Sequence, residues 1–194
     1  MSTIRQQDKC TQNDYIKLFA DSAEPLRWLS ETLTGNAELS ERVLAAAFAQ
    51  SLKGADCVFR EWMVSWARRL IITTCAEIVQ PWVLNDSHEY PLFPIRLDVV
   101  DNGRLEALVS LPSAFLQERL LRLSALHRFV FALRVLEGYS RRETSLLLNI
   151  NDRLCEWIYV QAVEAVEAER ELAEIPFHTD FVHTSECCFL QAGE

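Results

Sequence analysis

The sequence predicts an all-α protein built from two small helical domains joined by a proline-containing linker, the second domain having helix-turn-helix order. Two blocks of the chain place apolar residues at three- and four-residue spacing, which is the period of an amphipathic helix. The block between them shows no sustained period and holds Pro81, Pro91 and Pro94. Glycine is scarce, with five residues in 194, which also favours helices. We therefore expect a first domain over residues 14–80, a linker over 81–109, a second domain over 110–174 and a tail over 175–194.

The first domain is predicted to contain three or four helices. One carries Leu26, Leu29 and Leu33 on a single face and is expected to end at Gly35, with Asn36 capping the helix that follows. A further helix is predicted from a stripe of large apolar residues. Its rings Phe59, Trp62 and Trp66 are interpreted as core, because aromatic residues at helical spacing are usually buried; the alternative is that Trp62 and Trp66 stack on DNA bases. The stripe consists of Phe59, Trp62, Met63, Trp66, Leu70 and Ile71.

Residues 126–150 predict a helix, a tight turn and a short capped helix. Gly138 is the expected left-handed stop, since glycine enters that conformation without a Cβ penalty. Ser140 and Glu143 have the spacing of a capping box, in which the hydroxyl and the carboxylate each bond the other residue's amide. A third helix begins near Asp152. This order is typical of motifs that place their last helix in the major groove of DNA.

Composition limits the function. The formal net charge is −9, which argues against strong binding to DNA phosphates by the free protein. The sequence contains no apolar run of membrane-spanning length and no signal-peptide core, so we expect a cytoplasmic protein with reduced cysteines and no membrane association.

No catalytic constellation is recognised around the four histidines, and we predict a non-enzyme that needs no cofactor. His178, His183, Cys187 and Cys188 in the tail are similar to zinc-binding tails, but adjacent cysteines make tetrahedral ligation awkward. We therefore interpret these thiols as incidental and predict no metal site.

Two motifs in the same order resemble the extracytoplasmic-function sigma factors of bacterial RNA polymerase. The first comprises residues 33–41, Phe48 and residues 59–71, and the second comprises residues 136–143, whose text is similar to the family's leucine-glutamate-glycine-x-serine-x-x-glutamate. The resemblance implies that the first domain, like sigma region 2, binds the β′ subunit and melts the −10 element. It also implies that the second domain, like region 4, reads the −35 element and contacts the β flap. RNA polymerase core, promoter DNA and an anti-sigma factor are the partners it implies.

The polymerase-binding helix departs from the family pattern. The resemblance places the contact surface on one helix, but Arg42 and Ala45 stand where the family usually has aspartate and glutamine. A charge reversal at such a contact weakens binding if the partner group is buried. The polymerase-binding candidates are Leu39, Arg42, Val43, Ala45 and Ala46.

The DNA-binding candidates also depart from the family pattern, because Glu156 stands where the recognition helix usually has a lysine and no Lys or Arg occurs in residues 72–78. The candidates are Arg68, Arg69, Arg141, Arg142, Arg153 and Trp157.

Each candidate has an alternative interpretation. Arg68 and Arg69 fit a structural role better, as partners of Glu61 and Asp56. The three later arginines fit phosphate contacts and a solvated polar face equally well. Trp157, expected on the groove-facing side of the last helix, indicates either a repacked helix or a protein-contact surface, and we favour the latter.

Two functional hypotheses follow. The first is a sigma-factor-like transcription initiation protein that binds polymerase core and, weakly, promoter DNA. The second is a degenerate sigma-like adaptor that binds proteins and not DNA.

Overall fold

The computed structural model describes residues 9–80 and 102–174, which are all-α as predicted. These two ranges form nine α-helices and no strand, apart from one isolated antiparallel bridge between Lys9 and Phe59. The helices are α1 (Gln12–Asp21), α2 (Ala23–Thr34), α3 (Ala37–Lys53), α4 (Met63–Val79), α5 (Asn102–Val109), α6 (Ser113–Arg122), α7 (Ala125–Phe131), α8 (Arg141–Leu147) and α9 (Asp152–Glu174).

The helix boundaries of the first segment follow from local capping. Gly35 ends α2 with φ +68°, and the Leu39 amide donates to Asn36 Oδ1 at 2.9 Å at the start of α3. Both predicted boundaries are confirmed. A capping box also starts α1, where the Thr11 amide donates to Asp14 Oδ2 at 2.8 Å. In both caps a side-chain oxygen accepts a hydrogen bond from a backbone amide at the helix start, where no carbonyl of the same helix is available.

The fourth helix begins later than the apolar stripe predicts. Phe59 is extended, residues Arg60–Trp62 form a 3₁₀ turn, and α4 starts only at Met63. The Cys10 amide donates to the Val58 carbonyl at 2.8 Å, next to the bridge at Phe59. This long-range pairing holds Phe59 in an extended conformation outside α4. It cannot be predicted from the neighbouring residues.

Most buried apolar residues of the two segments form one large cluster, and a second, smaller cluster consists of Cys10, Tyr15, Leu18, Ala55, Val58 and Ala67. Leu29 and Leu33 of α2 belong to the large cluster together with Leu120 of α6 and Phe129 of α7, all fully buried. Helix α2 contacts both α6 and α7, and Trp28 Nε1 donates to the Ser113 carbonyl at 3.2 Å. The independent folding of the two predicted domains therefore stays a prediction, and a shared core weighs against it.

Part of the predicted linker is helical. Residues 102–109 form α5, whose Leu108 is fully buried in the large cluster. The rest of the predicted linker and the tail over 175–194, including its four histidine and cysteine residues, lie outside the described residues.

Candidate functional site

A tight turn separates α7 from α8. A π-helical turn over Ala132–Leu136 follows α7, and Gly138 then reverses the chain at φ +69°. The Ser140 amide donates to Glu143 Oε2 at 2.8 Å, and the Glu143 amide donates to Ser140 Oγ at 3.2 Å. The donors on Ser140 lower the pKa of the Glu143 carboxyl. The predicted glycine stop and capping box are both confirmed.

A second turn positions the start of α9. Asn149 adopts a left-handed conformation at φ +51°, and Asn151 caps α9 by accepting from the Leu154 amide at 2.7 Å. The Ser145 hydroxyl donates to the Asp152 carboxylate across the turn. Cys155 and Ile158 are buried, so one face of α9 packs on the core and the opposite face of its first turn lies in solvent.

Three arginines occupy the exposed starts of these two helices. Arg141 and Arg142 are the first residues of α8, and Arg153 is the second residue of α9. All three side chains are exposed, and none of the three guanidinium groups forms an ion pair within the described part of the chain. They are therefore free to meet phosphates, although exposure alone equally fits a solvated face.

Trp157 does not project freely from α9. Its side chain is half-buried and packs against the large cluster, and its ring centroid lies 6.3 Å from that of His127 in an edge-on arrangement. Burial lowers the pKa of His127. The expectation of a groove-facing Trp157 is corrected on this point, because the ring packs on α7.

The Glu156 carboxylate forms an ion pair within the fold. It accepts from Arg134 Nη1 at 3.1 Å, and both side chains are less than one-fifth exposed. Arg134 also lies over the Tyr159 ring at 4.4 Å. The electrostatic repulsion that Glu156 was expected to direct at phosphates is therefore largely neutralised by its partner.

Arg68 is paired, but not with the predicted partners. Its guanidinium forms a bidentate ion pair with the Glu137 carboxylate. Nε donates to Oε2 at 2.9 Å, and Nη2 donates to Oε1. The Glu137 side chain is 7% exposed and that of Arg68 29%. Glu61 and Asp56 therefore do not hold it. The pair links α4 to the turn before α8, which favours a structural role for Arg68, and the bond to Glu137 raises the pKa of Arg68.

Arg69 lies beside a surface cleft that the sequence did not predict. Trp62 is 61% exposed, Phe59 39% and Trp66 38%. The interpretation of these three rings as core is wrong, because all three lie on the surface, whereas Ile71 of the same stripe is fully buried. With Arg69 and Tyr139 the three rings line a cavity of about 470 Å³, here named the aromatic cleft. Helical periodicity could not find it, since the bridge between Lys9 and Phe59 is a long-range feature.

The polymerase-binding candidates on α3 differ in accessibility. Arg42 and Ala45 are exposed, while Leu39 and Ala46 are half-buried. Val43 is fully buried in the large cluster. Val43 is therefore corrected from a contact residue to a core residue, and the accessible surface of α3 centres on Arg42 and Ala45.

No metal site is formed by the described residues, in which no three His, Cys, Asp or Glu side chains converge suitably. None of the helices in the described ranges is both long enough and apolar enough to cross a bilayer. No model of a known protein family matches the chain, and no curated protein matches it.

Proposed function

We propose that the chain is a sigma-factor-like transcription initiation protein, made of region 2-like and region 4-like helical units, that binds RNA polymerase core and contacts promoter DNA weakly. The observation that supports the proposal is that α7, α8 and α9 follow one another through two tight turns, which is the order expected of a helix-turn-helix motif. Gly138 and the capping box orient α8, and Asn149 and Asn151 orient α9. This geometry accompanies a sequence motif that resembles the second domain of sigma factors.

The DNA contact is assigned to the cations at the helix starts. Arg141, Arg142 and Arg153 are exposed and unpaired within the described residues, as phosphate-contacting residues must be. The pairing of Glu156 with Arg134 removes one objection to this assignment. The contact stays weak because the whole chain carries a net charge of −9.

The polymerase contact is assigned to the exposed face of α3 around Arg42 and Ala45. Such a protein acts in the cytoplasm, as a binding protein and not as an enzyme. An anti-sigma factor is a further partner of this proposal.

The test of the proposal is a binding titration of the purified chain with core polymerase, followed by footprinting on DNA. We expect a stoichiometric complex, and DNA protection only in the presence of polymerase. Arg153→Glu should weaken the protection, whereas Arg27→Glu, an exposed arginine of α2, serves as the matched control. A chain that does not bind core polymerase under any condition contradicts the proposal.

The degenerate adaptor is the second candidate function, and the joining of the two segments favours it. The buried pair of Arg68 with Glu137 and the shared core fix the segments together. In this arrangement Arg68 is occupied and cannot contact DNA. If the chain binds polymerase or another protein while footprinting shows no added protection of DNA, the adaptor becomes the better description.

A further inference from the structure

We propose that the aromatic cleft binds an acidic segment of a partner protein, which places an apolar side chain between Trp62 and Trp66 and a carboxylate against Arg69. This interaction surface goes beyond the proposed function, since it requires neither polymerase nor DNA. It lies on α4 and the turn before α8, whereas the candidate polymerase surface is on α3.

The exposure of the three rings is built into the fold. Phe59 is paired with Lys9 in the bridge, and the Cys10 amide donates to the Val58 carbonyl at 2.8 Å. The rings of Phe59 and Trp62 meet edge to face, with centroids 6.0 Å apart. An ordered backbone thus presents adjacent apolar rings to solvent, and such a patch on a soluble protein marks a binding surface.

The cleft is completed by the second segment. Tyr139 forms part of its lining, and Gly138 at φ +69° directs the chain into this position. Tyr139 also packs against the large cluster, so its ring is held in place. The cleft therefore has walls from both segments, and binding should stabilise their packing against each other.

Charge favours an acidic occupant. The Arg69 guanidinium has no ion-pair partner within the described residues. Its charge acts on the Glu143 carboxylate, but that carboxylate accepts hydrogen bonds from Ser140 in the capping box. A carboxylate placed in the cleft would give Arg69 the partner it lacks, in a setting partly shielded from water by four aromatic rings.

The surroundings of the cleft favour protein over nucleic acid. The exposed carboxylates of Asp56 and Glu61 lie in the segment that forms one wall, together with the cation Arg60, which is paired with Asp14. Neither carboxylate lines the cleft, so a single peptide carboxylate can meet Arg69 there, whereas a phosphate backbone repeats its negative charge along the rim. An aromatic centre with a mixed polar rim is instead the usual anatomy of a protein interface, where Trp, Tyr and Arg supply most of the binding energy.

The experiment is a selection of randomised peptides displayed on phage against the full chain, with Trp62→Ala as the counter-selection. We expect enriched peptides that combine Asp or Glu with a neighbouring aromatic or leucine residue. A fluorescent copy of one such peptide should bind at least about tenfold more weakly to Trp62→Ala and to Arg69→Glu, as truncation of a central interface residue produces. Ile16→Ala, at a 51% exposed apolar residue of α1, should bind like the wild type.

A charge swap keeps the test independent of any folding defect. A peptide in which lysine replaces the critical carboxylate should bind Arg69→Glu more tightly than it binds the wild type. Three results would overturn the proposal: no enrichment over Trp62→Ala, enrichment of basic peptides, or displacement of the peptide by micromolar oligothymidylate, which would assign the cleft to single-stranded nucleic acid. Polymerase is absent from every arm, so failure here leaves the proposed function untouched.

Discussion

Replacing Arg68 by glutamine should destabilise the fold markedly, because it breaks a partly buried ion pair between the two segments. The variant leaves the Glu137 carboxylate, 7% exposed, without its cation. Removing one partner of a buried ion pair typically costs 3–5 kcal/mol, because the remaining charge stays desolvated. Arg68 retains 29% exposure, which lets water reach part of the site, so we expect about 3 kcal/mol.

The assay is equilibrium urea unfolding followed by circular dichroism, with thermal melting as a second measurement. A loss of about 3 kcal/mol corresponds to a fall in Tm of roughly 6–12 °C for a chain of this size. Arg60→Gln is the matched control, because Arg60 is 57% exposed and forms an ion pair of 3.1 Å with Asp14. Exposed pairs contribute little, and we expect the control to lose less than about 1 kcal/mol.

A double-mutant cycle with Glu137→Gln isolates the pair itself. Removing both charges should recover part of the loss, with a coupling energy above about 1 kcal/mol. If Arg68→Gln loses no more stability than Arg60→Gln, the pair does not join the two segments and the reasoning fails.

The remaining predictions concern the turn at Gly138, the half-buried His127 and the shared core. Gly138→Val should lose roughly 1–2 kcal/mol from the left-handed backbone alone, since a Cβ there meets no atom within 4 Å, whereas Gly54→Ala, at an ordinary φ of −102°, should be nearly neutral in the same urea assay. Burial lowers the pKa of His127 in the fold, so its contribution is fully present above the unfolded pKa of about 6.5 and is lost as the pH falls below that value. His127→Gln should reduce the fall in urea midpoint between pH 7.5 and 5.5, and an unchanged fall would show that the imidazole is not the responsible group. Fragments 9–80 and 102–174 should each melt below the intact chain and regain stability on mixing, whereas two cooperative melts at the intact midpoint would support independent domains.

Local patterns predicted the helices well where short-range chemistry decides the boundary. Gly35, Asn36, Gly138 and the Ser140–Glu143 box were all predicted correctly, because each acts within one turn of its own helix. Such features depend on backbone geometry and on the nearest side-chain oxygen, and both can be read from neighbouring residues.

Contacts between residues far apart in the sequence could not be predicted from local patterns. The partner of Arg68 lies 69 residues away at Glu137, while the predicted partners were its sequence neighbours. The late start of α4 follows from the pairing of Phe59 with Lys9, which is 50 residues earlier in the chain. Phe59 and Trp62, which were predicted to be core residues, therefore lie on the surface. Periodicity identifies an apolar face but not what covers it, so the accessibility of Val43 and Trp157 could not be assigned before the packing was known.

The central claim, that the chain is a weakened sigma factor, is tested most directly by measuring its affinity for purified core polymerase alongside the double variant Arg42→Asp, Ala45→Gln. Both residues are exposed on α3, so the variant should fold normally. We expect the wild type to bind and the double variant to bind more tightly, since the two changes restore the side chains usual at this contact in the sigma factors that the chain resembles. Binding that is absent in both proteins, or weaker in the double variant, would contradict this proposal and indicate a chain that has kept the helices and changed its partner.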